Sequence, residues 1–114
     1  MTLVFNTDSV ADQLSKEEGY QRYVYLDHLG YETIAYGRCI AEGVGYGIDE
    51  EEARYLLMRD IDRVKRSCAD AFDFWEDVSP NIRETIVMLV FQMGLAGYQK
   101  FTKHLRAIAD KNFD

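Results

Sequence analysis

Glu17-Glu18-Gly19-Tyr20-Gln21-Arg22-Tyr23-Val24-Tyr25-Leu26-Asp27-His28-Leu29-Gly30-Tyr31-Glu32-Thr33-Ile34-Ala35-Tyr36-Gly37 is the stretch that decides the fold class. It reads as the end of a helix, a strand, a tight turn and a returning strand. Tyr23 to Leu26 is β-branched and aromatic, as is Tyr31 to Tyr36, while Asp27 can close an Asx-turn and Gly30 supplies the positive φ it needs. Upstream, Ser9 to Gly19 predicts a helix: Ser9 and Asp12 resemble a capping box, Val10, Ala11 and Leu14 form an inward stripe, and Gly19 is a C-terminal stop. Downstream, Gly43, Gly45 and Gly47 loosen the chain into a loop with room for one further short strand.

The rest reads as helical. Asp49 with Glu52 forms a capping box, followed by an inner stripe of Ala53, Leu56, Leu57, Ile61, Val64 and Cys68. Glu50 with Arg54 and Asp62 with Arg66 are acid-first i,i+4 pairs on its wet face. Phe72 to Val78 is a connector expected to lay Phe72, Phe74 and Trp75 on the core. Ser79-Pro80 opens the next helix, and Ile82 to Met93 is apolar almost all round, which predicts a buried central helix ended by Gly94. A last helix is expected over about Tyr98 to Lys111. The class is α+β, a small antiparallel sheet beside a helical bundle, in a single domain spanning 1–114 with helix 9–18, a β-hairpin region 20–47 and a helical part 49–114.

Composition bounds the function. At 114 residues and 47% hydrophobic content the chain can build one modest core, burying roughly 65% of its unfolded surface. The longest apolar run, Ile86 to Phe91, is far short of the roughly 20 residues of a membrane span, and the N-terminus lacks the basic region of a secretory signal. Thirteen basic against twenty acidic residues give a net charge of −7, which repels phosphate backbones and anionic lipid; neither nucleic acid nor membrane is expected as a partner. Cys39 and Cys68 lack paired spacing, and His28 and His104 add no ligand pattern, so two reduced thiols and no metal or organic cofactor are expected.

Local rules fail at the end of the first helix, where Glu17 and Glu18 occupy a last turn that favours cations. At 100° per residue Glu18 lies roughly 35° from the centre of the Val10–Ala11–Leu14 face and Glu17 roughly 65° off it. Glu18 is thus the better candidate for a partly buried carboxyl with a raised pKa, fit to act as a general acid; the position also suits a solvated glutamate on a frayed helix end. Asp27, nine residues on, reads equally as a turn residue and as a second carboxylate facing Glu18 across a groove. Two such carboxyls are what glycosidic hydrolysis uses, one protonating the leaving oxygen and the other activating water or attacking. Thr33 could hold a water beside them, and is also simply a good strand former. The tyrosines Tyr20, Tyr23, Tyr25, Tyr31 and Tyr36 suit sugar stacking and half-buried strand positions equally.

These residues together resemble the bacteriophage lysozymes of the T-even type, glycoside hydrolase family 24. The match runs through Glu18-Gly19, Tyr25-Leu26-Asp27 and Gly30 to Gly37, and again through Gly47-Ile48, Glu52-Ala53 to Asp60, Val90-Phe91-Gln92-Met93-Gly94, Gly97, Phe101, Leu105 and Arg106. The resemblance implies a lysozyme-like fold and a muramidase, a bacteriolytic glycosidase that cleaves the β-1,4 bond between N-acetylmuramic acid and N-acetylglucosamine in peptidoglycan. Glu18 would be the general acid. Asp27 would activate or orient water and stabilise charge on the ring, and Thr33 would place that water. Phe91, Gln92, Gly94 and Arg38 would contact substrate. It further implies a monomeric enzyme, either an endolysin held in the host cytoplasm until holin-dependent release or a virion-associated lysozyme with a virion protein as partner.

The chain departs from the family at Arg38, where histidine is usual, at Ala35, where a strand glycine is usual, and in a short loop after the sheet. The family also continues for several helices past the position of Asp114, supplying an arginine that pairs with the acid; Arg38 and Arg22 are the candidates to replace it. The alternative is a shortened, non-catalytic lysozyme-like domain that binds cell-wall glycan or a virion protein. An acidic nucleic-acid mimic would use the net charge alone and leave the Glu18, Asp27 and Thr33 spacing to chance.

Overall fold

The computed structural model describes residues 5–101 and 106–107. Its elements are α1 (Thr7–Glu18), β1 (Gln21–Leu26), β2 (Glu32–Ala35), β3 (Arg38–Cys39), α2 (Glu50–Ala71), a 3₁₀ turn (Trp75–Asp77), α3 (Pro80–Met93) and α4 (Leu95–Gln99). Helices with one small antiparallel sheet make an α+β protein. The packing separates two compact units, Met1–Glu52 and Ala53–Asp114.

In the first unit the cap of α1 lies three residues earlier than Ser9. The side chain of Asn6 is the cap, accepting from the Ser9 amide at 3.0 Å, so Ser9 is a donor in the first turn. Gly19 ends the helix at φ 73°, with its amide on the Ser15 carbonyl. The stripe expected to face inward is exposed: α1 buries no residue, and Val10 and Leu14 keep 43% and 47% of their surface. Periodicity sets which side chains share a face, whereas covering that face takes mass. A unit this small buries a small fraction of its surface. Thr33 and Ala41 are its buried residues among those described.

The sheet has the order β1-β2-β3, all antiparallel. Gln21 pairs with Ala35, but Tyr25 pairs with Thr33 and Leu26 with Glu32, so β1 carries two extra residues between Gln21 and Tyr25. Such a bulge bends its strand and shortens the ladder. The paired part of the hairpin therefore spans only the three residue steps from Glu32 to Ala35, about 10 Å at a strand's rise.

In the second unit the core is Cys68, Phe72, Trp75, Val78, Ile86, Val90 and Tyr98, backed by Val64, Phe74, Ile82, Val87, Leu89 and Leu95. The connector residues do lie on this core; Phe72 stacks on Phe74 at 5.2 Å and meets Tyr98 edge-on at 5.7 Å. Burial, with Cys68 beside it, pushes the Tyr98 phenol up to about 12. The capping box and the Ser79-Pro80 start form as read: Glu52 N donates to Asp49 Oδ1 at 2.8 Å, Asp49 N to Glu52 Oε1 at 3.1 Å, and Ile82 N to Ser79 Oγ at 3.4 Å.

Three expectations change. α3 buries only Ile86 and Val90, leaving Met88 and Phe91 exposed, so it is amphipathic rather than buried all round. The start of the α2 stripe is exposed at Leu56 and Leu57, and the ion pair on that helix joins Asp60 to Arg63 at 3.0 Å while Arg66 reaches the Asp62 carbonyl. A short α4 follows Gly94 directly and ends at Gln99, so the helix expected from Tyr98 does not start there; Arg106 and Ala107 within the expected span are helical, and most of the span to Lys111 lies outside the described residues. Both cysteines are free.

Ala35 is the one non-glycine among the described residues at positive φ, 62°. A left-handed conformation costs an L-residue about 1–2 kcal/mol, and glycine gives back up to about 1 kcal/mol of that in chain entropy. Ala35→Gly should therefore raise the unfolding free energy by about 0.5–1 kcal/mol in denaturant melts. A lower value would show that the alanine methyl contributes packing that outweighs the strain.

Candidate active site

Asp27 follows β1 directly and its carboxylate folds back over the turn. Oδ1 accepts from the amides of Leu29 and Tyr31, each at 2.9 Å. The Asp27 amide donates to the Tyr31 carbonyl at 3.0 Å, and Gly30 N to the Asp27 carbonyl at 2.9 Å. This is the Asx-turn that the aspartate-glycine pair predicts. The Tyr31 amide is the main cause that holds the Asp27 carboxyl below its ordinary value of 3.8. The Leu29 amide, the charge of His28 and the Gly30 amide act in the same direction, and desolvation opposes them. Oδ2 takes part in none of these bonds.

Thr33 is 3% exposed, the most buried polar side chain of the first unit's described residues. It pairs with Tyr25 on one side and Cys39 on the other, in the middle of the three strands. Its hydroxyl donates to the Tyr31 carbonyl at 2.9 Å. Asp27 and Thr33 are thus joined through the backbone of one residue, Tyr31, whose amide serves the aspartate and whose carbonyl serves the threonine. With its proton committed, Thr33 Oγ1 can serve a further partner only as an acceptor.

Glu18 closes α1 and is exposed, not partly buried as its helical phase suggests. Its carboxyl lies on the turn between β2 and β3. A side chain at Gly37 would place its Cβ 2.6 Å from Glu18 Oε2 and 3.0 Å from Cδ, and the φ of Gly37 is 75°. Only glycine combines that backbone with that approach. The hairpin consequently carries Asp27 at its turn, Thr33 midway and the Glu18 carboxyl at its open end, within the short span that the β1 bulge leaves.

Arg38 is engaged elsewhere. Its Nε donates to the Gly47 carbonyl at 2.8 Å, its Nη2 meets Glu52 Oε1 at 2.7 Å, and the guanidinium lies 5.9 Å from the centre of the Tyr46 ring. Arg22 lies over Tyr23 at 5.6 Å. Among the described residues neither arginine forms an ion pair with Glu18. Phe91, Gln92 and Gly94 belong to the second unit. Phe91 and Gln92 line a shallow cavity of about 190 Å³ with Leu57, Ile61 and Met88, and Gly94 caps α3 at φ 79°. Sequence reading missed the β1 bulge and the main chain of Tyr31 as the link between Asp27 and Thr33. Neither carries a local signal, since both arise from strand register.

No group of three or more potential metal ligands occurs among the described residues, and no described helix is long and apolar enough to cross a membrane. A family model described as phage lysozyme matches residues 15–114. The chain is also 28% identical, over 125 aligned positions, to the pre-baseplate central spike protein Gp5 of Enterobacteria phage T4. That alignment takes in 88% of this chain and 22% of the relative, so the chain spans about a fifth of the relative's length.

A depressed carboxyl pKa contributes stability above the unfolded value that is lost as pH falls through the folded value. Below about pH 4 the wild type should therefore lose stability more steeply than Asp27→Asn, compared by denaturant melts at pH 5 and pH 2.5. Equal slopes for the two proteins would refute the role given to the Tyr31 and Leu29 amides.

Proposed function

Since the chain belongs to the phage lysozyme family, we propose that it hydrolyses peptidoglycan at the β-1,4 bond between N-acetylmuramic acid and N-acetylglucosamine. Both units are taken as parts of one hydrolase domain, acting as a monomer. The observation that carries the reading is the bonded path from Asp27 through the main chain of Tyr31 to Thr33. It leaves two acceptors, Asp27 Oδ2 and Thr33 Oγ1, suited to the two hydrogens of one water. A water held by both hydrogens directs its lone pair at the anomeric carbon. Asp27, kept ionised by its amides, takes the proton as the C–O bond breaks.

Glu18 supplies the opposite proton, to the leaving oxygen. Its carboxyl rests on glycine backbone, so a sugar can approach it closely. Attack by water on the face opposite the acid gives inversion at the anomeric carbon, the geometry of carboxyls about 6.5–9.5 Å apart. Phe91, Gln92 and Gly94 are proposed as substrate contacts, and Arg38 as one through Nη1, the guanidinium nitrogen that holds neither Gly47 nor Glu52. The likeness to a baseplate spike protein favours deployment from the virion over an endolysin awaiting release.

The test is a turbidity-drop assay on chloroform-treated Gram-negative cells, with muropeptide release measured alongside. Glu18→Gln should lower the rate by about 10²–10⁴-fold, the size of a lost general acid. Thr33→Val, which keeps the shape and removes the acceptor, should lower it by at least about tenfold. Clearance by Glu18→Gln at the wild-type rate would overturn the assignment of the acid. A wild type that is retained on cell walls yet releases no muropeptides would leave a non-catalytic glycan binder instead.

A further inference from the structure

We propose that Tyr20 and Tyr36 form a sugar-stacking subsite next to Glu18, taking the pyranose ring of the glycan strand adjacent to the sugar that the acid serves. The inference rests on the hydrolase reading for its ligand and on separate observations for its place. Gln21 pairs with Ala35 in the antiparallel ladder. Continuing that register by one residue sets Tyr20 opposite Tyr36, and by two sets Gly19 opposite Gly37. The tyrosine rings do meet, with centroids 5.7 Å apart and planes inclined at 52°. They remain 61% and 55% exposed, although paired aromatic rings gain most from being buried.

A Cβ at Gly19 would meet nothing within 4 Å apart from its chain neighbours, whereas one at Gly37 would run into the Glu18 carboxyl. The open end of the hairpin thus carries two glycines, one of them under the Glu18 carboxyl, and two exposed, touching tyrosine rings. A pyranose presents an apolar face of C–H groups and a rim of hydroxyls. Its face suits a tyrosine ring, its rim suits a carboxylate and exposed backbone, and the glycines allow the approach. Asp27 and Thr33 lie toward the turn of the same hairpin, so a strand crossing Glu18 reaches the tyrosines on leaving the water site.

The experiment uses the full chain carrying Glu18→Gln, so that nothing is turned over, and measures retention on purified insoluble sacculi. Adding Tyr20→Ala and Tyr36→Ala should weaken retention by about tenfold, the worth of two stacking faces. Tyr20→Phe with Tyr36→Phe, which keeps both rings, should stay within about twofold of the parent, as should Tyr55→Ala, an exposed tyrosine of the second unit. In the background with Glu18 intact the double alanine variant should raise KM with kcat retained. Unchanged retention in the double alanine variant, an equal loss with Tyr55→Ala, or no retention of the Glu18→Gln parent would each overturn the subsite. Loss of retention with the alanines in a protein whose Glu18 form releases no muropeptides would uphold the subsite while removing the hydrolase reading.

Discussion

The backbone of Tyr31 is bonded from three directions: its amide donates to Asp27 Oδ1, and its carbonyl accepts from the Asp27 amide and the Thr33 hydroxyl. Everything that distinguishes the site from an ordinary hairpin turn depends on this residue's main chain. It fixes the rotamer of a carboxylate and of a hydroxyl at once and uses up the donor of the hydroxyl. Because the link is main chain, its geometry is set by the turn and not by the identity of side chain 31. The tyrosine itself is free to serve the exposed surface.

The two carboxyls are placed in opposite kinds of surroundings. Asp27 is held by amides whose partial positive charge favours the ion. Glu18 ends α1, and its carboxyl lies against Gly37 of the β2–β3 turn. One carboxylate is held as the ion by main-chain amides; the other lies exposed at the end of its helix.

The spacing of Glu18, Asp27 and Thr33 was legible in the sequence, because a helix stop at Gly19 and an Asx-turn at Asp27 are local signals and the family resemblance runs through both. The helix caps at Asp49 and Ser79 were legible for the same reason. The α1 cap at Asn6 was not, since Ser9 offers an equally good local pattern three residues on. Burial was read less well. Val10, Leu14, Leu56 and Leu57 share faces as the period dictates, yet they stay exposed, because periodicity does not say whether anything covers the face. The β1 bulge was invisible, since it exists only as a mismatch between the residue counts of two strands.

Arg38 shows how a departure from a family pattern can be structural before it is chemical. A histidine could not span the three contacts that its side chain makes: the Gly47 carbonyl nine residues on, the Glu52 carboxylate at the start of α2, and the Tyr46 ring. The fork of the guanidinium reaches all three because its donors point in fixed, divergent directions, and a lysine would have to choose among them. Glu52 Oε1 receives the Asp49 amide as well as Arg38, so one carboxylate both closes the capping box of α2 and secures the loop that precedes it. Arg38 directly follows Gly37, the residue on which the Glu18 carboxyl rests. Holding residue 38 to the loop therefore also limits how far the β2–β3 turn can move beneath the Glu18 carboxyl, with no ion pair between the two side chains.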